Sequence, residues 1–293
     1  MKKIIISMSI IGAVAAVAVG ATTAFFSDTE TSTGNTFTAG SIDLKVDSNC
    51  HYYNIVDFDG DEPIYRDLGC GQVGTNGVGV GQWDETDLQD GIHKFFSFAD
   101  IKPGDKGEDT ISLHVYDNDA WGKIVMGLTN DLDNSCTEPE GEAEPLCEDD
   151  NDGELLEAML PGFSMWLDQG SIPGFQNGGT GTHDPEEGDN VWQRDNEPII
   201  SVRGETMLSS VLAAAYTTAH ATDACVSPDG HDDYGRCHGL ASDGRMVGST
   251  TYYFGLAWNL PWNTGNEVQT DSVGGDITFK VVQHRNNPTQ AGL

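Results

Sequence analysis

The chain has 293 residues, of which 47 are Asp or Glu and only 14 are Lys or Arg, so its formal net charge is −33 at neutral pH. A surface this acidic excludes non-specific binding to nucleic acid or to anionic membranes, and it favours cations, solubility or high salt. With 38% hydrophobic residues the chain is long enough to bury a sizeable core, as one large β domain or two small ones.

At the N-terminus, Lys2 and Lys3 precede an apolar run from Ile4 to Gly20 that is broken only by Ser7 and Ser9, and small residues continue from Ala21 to Ala24. That order is a basic region, an apolar region and a small-residue cleavage zone. Thr22 and Ala24 suit the two pockets of a signal peptidase, which predicts a signal peptide over 1–24 and a single mature domain over 25–293. An uncleaved anchor is the alternative, although the run is near the short limit of about 17–25 residues for a bilayer span. The expected product is secreted, extracellular or held at the cell surface, and free of the membrane after cleavage.

Strand signals dominate the mature chain. Ile42, Leu44 and Val46 alternate with Asp43 and Lys45, and Ile111, Leu113 and Val115 alternate with Ser112 and His114. The same period of two runs through Tyr252, Phe254, Leu256 and Trp258 and through Ile277, Phe279 and Val281. Each pattern predicts a strand with one buried face. Lys123 to Leu128 reads as a strand with weaker alternation. Pro103-Gly104-Asp105, Asn118-Asp119 and Gly274-Gly275 supply turns. Two helices are expected, a short one over Glu154 to Leu160 ending at Pro161, and Glu205 to Ala219 with Leu208, Val211, Leu212 and Ala215 on one face. The stretch 131–245 is otherwise acidic and loop-rich and reads as an insertion between core strands.

Six cysteines at 50, 70, 136, 147, 225 and 237 form three local couples in Gly- and Asp-rich stretches. In an exported chain such spacing predicts the disulfides Cys50–Cys70, Cys136–Cys147 and Cys225–Cys237. Zinc ligation would call for C-x-x-C spacing, which is absent.

The candidate metal ligands and the exposed aromatics each compete with a plain structural role. A zincin needs H-E-x-x-H, and no His here is followed by Glu. His220, His231 and His238 around Cys225 and Cys237 are the nearest approach to a zinc set, and three His on a polar loop are ordinarily just solvated. Calcium is the better-supported cation, because carboxylates bunch in what read as short loops: Asp57, Asp59, Asp61 and Glu62; Asp149, Asp150, Asp152 and Glu154; Asp184, Glu186, Glu187 and Asp189. None satisfies the EF-hand spacing, and solvated acidic loops are the competing account. The calcium expectation rests on Asp57, Asp59, Asp61, Asp149, Asp152 and Glu154. Trp83, Trp166, Trp192, Trp258 and Trp262 could stack on sugars, but large aromatics more often cover a core.

Phe25-Phe26-Ser27-Asp28-Thr29-Glu30, then Asn35-Thr36-Phe37-Thr38-Ala39-Gly40-Ser41-Ile42-Asp43-Leu44, resembles the mature start of the TasA/camelysin (CalY) proteins. Ile101-Lys102-Pro103-Gly104-Asp105 with the strand Ile111–Val115, and Gly265 to Ser272 with Ile277-Thr278-Phe279, resemble the family's core module and closing strands. The resemblance implies a jelly-roll-like antiparallel β-sandwich, export through a SipW-type signal peptidase, and self-assembly into matrix fibres in which one subunit's N-terminal strand completes the sheet of the next. Phe25, Phe26 and Phe37 would be the assembly residues. It also implies a second function, because camelysin is described as a surface metallopeptidase. With no zinc motif, the expected function is a structural surface or matrix protein and not an enzyme, with further copies of itself and a SipW-like peptidase as partners. A monomeric adhesin is the third reading.

Overall fold

The computed structural model describes residues 27–32, 36–38, 42–70, 80–89, 91–147, 152–172, 174, 184–222, 225, 237–285 and 287–293, with 27–32 and 36–38 described by backbone alone. The expected leader, and Phe25, Phe26, Asp149, Asp150 and His231, lie outside these residues.

Among the described residues twelve strands form two antiparallel sheets. They are β1 (Ser27–Ser32), β2 (Thr36–Thr38), β3 (Asp43–Asp59), β4 (Glu62–Asp67), β5 (Gln82–Thr86), β6 (Lys106–Tyr116), β7 (Ala120–Leu132), β8 (Ser164–Leu167), β9 (Ile199–Ile200), β10 (Gly204–Met207), β11 (Thr250–Asn259) and β12 (Ser272–Gln283). One sheet runs β10-β7-β12-β1-β2, and the other runs β4-β3-β6-β11-β8-β9 with β5 also paired to β3. Every strand anticipated from alternation is present, and the chain is an antiparallel β-sandwich. The inward residues of alternating strands fill the space between the sheets: Leu44 and Val46, Ile111 and Leu113, Tyr252, Phe254 and Leu256 from one sheet, Ile124, Ile277, Phe279 and Val281 from the other. Their side chains bury the area that drives folding, at about 25 cal/mol per Å².

The acidic stretch 131–245 is built into both sheets, since β8 pairs with β11 and β10 pairs with β7. Among its described residues lie the helices α1 (Glu138–Ala143), α2 (Leu155–Met159) and α3 (Leu208–Ala221). The last was expected to begin at Glu205. Glu205 to Met207 instead pair with Val125, Ile124 and Lys123 of β7, and the helix starts where that ladder ends. Leu208, Val211, Leu212, Ala215 and Ala219 form its buried face. A short 3₁₀ turn, Leu160–Gly162, carries α2 past Pro161.

The disulfides join Cys50 to Cys70, Cys136 to Cys147 and Cys225 to Cys237, with Cα separations of 5.5, 5.5 and 5.3 Å, the pairing that the local couples predict. Trp166 and Trp258 are buried to 3% exposure. Each sits opposite a strand glycine, Gly255 and Gly107 respectively, where a Cβ would lie only 2.2 and 2.4 Å from the indole. These two rings cover the core and are not available to stack on a sugar, whereas Trp262 is 77% exposed.

Candidate functional site

The N-terminal hairpin of β1 and β2 occupies a sheet edge. β1 pairs antiparallel with β12 over six residues, from Ser27 opposite Val282 to Ser32 opposite Ile277. β2, which contains Phe37, folds back on β1 as the outermost strand. On the far side of β12 lies β7, in a ladder that runs the whole length of β12 with one irregularity at Gly274/Gly275. β12 is therefore a central strand only because β1 covers it. Its side chains Ile277, Phe279 and Val281 belong to the core between the sheets.

The other end of β12 meets an acidic centre that sequence reading missed. Asp133 follows β7, Glu140 is on α1, and Asp271 precedes β12. One carboxylate oxygen from each lies within 4.8 Å of the others. Glu140 is fully buried and Asp133 is 9% exposed. Local structure fixes the three groups. Thr137 caps α1 in a reciprocal box with Glu140, whose Oε2 accepts the Thr137 N–H at 2.8 Å. Asp271 Oδ2 accepts the N–H groups of Glu154 and Leu155 at 2.7 and 3.0 Å. Asn134 Nδ2 donates to Thr270 O at 2.7 Å, and the Thr270 hydroxyl donates to Ser135 O, which staples the two loops together. The Cys136–Cys147 bridge closes the segment that carries α1. Both oxygens of Asp133, Oε1 of Glu140 and Oδ1 of Asp271 are buried without a hydrogen-bond partner. Among the described residues no ion pair with a basic side chain reaches these groups. Burial first, then the charges of Asp133 and Glu140, pushes the Asp271 carboxyl up to about 6. Burial and the facing carboxyl of Glu144 push Glu154 up to about 7.

The carboxylates expected to hold calcium fall elsewhere, apart from Glu154. Asp57 and Asp59 lie on β3 and Asp61 in the turn to β4, all exposed. Asp57 and Asp59 share one face of the strand, and among the described residues these three do not gather into a group close enough to hold one ion. Asp152 begins the approach to α2, where its charge bears on Asp131. In the third cluster, Asp184 is fully buried and accepts the N–H groups of Ile172 and Glu186 at 2.6 and 3.0 Å, as a loop staple. Beside it Asp168 and Glu197, both buried, face one another. Burial raises both, Asp168 to about 7 and Glu197 to about 8.

The family implied by the resemblance includes a metallo-endopeptidase, and the described histidines do not gather into a zinc set. His220 donates from Nδ1 to Tyr216 O at 2.9 Å and stacks on that ring at 3.8 Å. His238 Nε2 is 3.4 Å from Thr250 Oγ1. Among the described residues no His or Cys joins a group that could hold a metal, and the set that does gather is all oxygen.

A disulfide-bearing antiparallel sandwich suits an extracellular or surface protein. The comparison with known families agrees: residues 1–79 match the family described as camelysin metallo-endopeptidase, which bears out the TasA/camelysin resemblance over the segment carrying β1 to β4. No curated protein matches the chain.

Proposed function

We propose that the protein is a structural subunit of a cell-surface or matrix filament, joined to its neighbours by exchange of the N-terminal strand. The observation behind this reading is the β1–β12 ladder. β1 lies at the start of the mature chain and is bound to the rest of the fold chiefly through backbone pairing with β12. A terminal strand held in this way can leave without unthreading the core. Its departure bares a six-residue stretch of β12 in which the N–H and C=O groups of alternate residues then need a partner. The same strand of another copy supplies identical hydrogen bonds in the same register. Because donor and acceptor are different surfaces, the contact is head-to-tail and propagates as a fibre. The expected partners are copies of the same chain, after a SipW-like peptidase has released residue 25.

Light scattering and electron microscopy on the mature chain test this reading. Mature protein should assemble as salt screens its negative charge. A variant lacking 25–33 should remain a folded monomer, and a peptide spanning 25–38 should block growth of the intact chain. Filaments from the truncated variant would refute strand exchange. The metallo-endopeptidase description of the matching family favours one second reading, a surface metallopeptidase. Chelator-sensitive cleavage of casein by the pure chain would establish it.

A further inference from the structure

We propose that Asp133, Glu140 and Asp271 form a calcium site that clamps the start of β12 to the end of β7 and to α1. Two of the three groups are at least nine-tenths buried, and none of the three is neutralised by a basic partner among the described residues. Gathering three carboxylates in a buried site without a counter-charge is costly, because each ion has lost its water. A cation removes that cost, and the hydrogen-bond pattern shows where it sits. Glu140 and Asp271 each use one oxygen to accept backbone N–H groups, which fixes the carboxylate plane, and leave the other oxygen bare. Asp133 leaves both bare. Four buried oxygens, Asp133 Oδ1 and Oδ2, Glu140 Oε1 and Asp271 Oδ1, thus have no hydrogen-bond partner, and those of Glu140 and Asp271 are set in place by the bonds of the other oxygen.

The donor set selects the ion. Zinc sites draw on His nitrogen and Cys sulfur, and neither is present. Magnesium keeps several waters in a tight octahedron at about 2.0–2.1 Å, which a buried carboxylate cluster does not accommodate. Calcium takes six to eight oxygens at about 2.3–2.6 Å, so two of its ligands lie at most about 5 Å apart. A cluster contained within 4.8 Å suits one such ion. Glu144 and Glu154, facing each other beside the cluster, and solvent are the sources of the remaining oxygens. The three ligands come from segments that are far apart in sequence, so one ion would tie the loop after β7, the disulfide-closed α1 loop and the entry to β12 into a single unit.

The test uses the mature chain stripped of metal by chelator and held at about 1 M NaCl, where screening confines surface attraction to about 3 Å. Calorimetric titration with Ca²⁺ should give one saturable site per chain, and added Ca²⁺ should raise the melting temperature. Asp133→Asn and Glu140→Gln should each weaken binding by at least about tenfold. Both should lose the Ca²⁺-dependent shift while melting no lower than wild type without metal, since each removes a repelling charge. Asp57→Asn/Asp59→Asn should bind as wild type does. An identical wild-type melt with and without Ca²⁺, unchanged affinity in Asp133→Asn, or an equal shift with Mg²⁺ at the same concentration would each overturn the proposal.

Discussion

Asp109 lies on β6 with its side chain in the middle of the sandwich and no exposed surface. It faces Cys50 of β3 on one side and Leu256 of β11 on the other. The Ser48 hydroxyl, 2.9 Å from Oδ1, is also 3.1 Å from Gly81 O. Burial pushes the Asp109 carboxyl well above its ordinary value of 3.8, so the folded state holds its proton to higher pH than the unfolded chain does. In that form it can donate to Ser48, whose own hydroxyl then donates to Gly81 O. Below the ordinary value both states bind the proton and the contribution is complete. Above it only the folded state does, and stability falls by about 1.4 kcal/mol per pH unit until the raised folded value is reached. Asp109→Asn keeps the shape, lets the amide donate to Ser48, and has no proton to lose. The unfolding free energy of the variant should therefore gain on wild type by about 1.4 kcal/mol for each pH unit above 4, up to a plateau that marks the folded value. Urea unfolding at a series of pH values measures the difference directly and cancels the separate contribution of the Asp168–Glu197 pair. Parallel pH profiles for the two proteins, or a variant that loses ground as pH rises, would refute the reasoning.

Replacing Cys136 and Cys147 together by Ala should cost about 3 kcal/mol in denaturant unfolding, the loop-closure value for their separation of 11 residues. Tyr252→Phe should cost about 2 kcal/mol, because the buried hydroxyl accepts Val247 N–H at 2.6 Å and donates to Gly239 O at 2.8 Å, and both backbone groups would lose their partner. The thermal melt of each variant checks these values, and an unchanged melt would show that the loop packs without the lost link.

The strands were legible because each buries one face, so Leu44, Ile111, Phe254 and Phe279 announce themselves by alternation. What misled was the same period in polar residues. Asp57, Asp59 and Asp61 look like an ion-binding loop, whereas Asp57 and Asp59 lie on the exposed face at the end of a 17-residue strand. Glu205 to Met207 carry a helical pattern, but pairing with β7 claims them first. The acidic centre had one local sign, Thr137 followed three residues later by Glu140 at a helix start. Asp271 joins it only through the register that sets Ser272 opposite Leu132, and sequence spacing carries no trace of that pairing. The disulfides were legible because each loop is short enough for its ends to meet.

The central claim is that the strand seated on β12 in a filament belongs to the neighbouring subunit. Thr29 stands opposite Lys280 in the β1–β12 register, and residues directly opposite have Cα atoms about 4.5 or 5.5 Å apart, within the Cα separations that a disulfide spans. The decisive measurement mixes a Thr29→Cys chain with a separately tagged Lys280→Cys chain, lets them assemble, and oxidises. Strand exchange predicts a disulfide between the two tagged chains in filaments, and none when the same mixture is held monomeric at low salt. Filaments that form without any such cross-chain bridge, while a single chain carrying both substitutions closes the bridge within itself, would contradict the account.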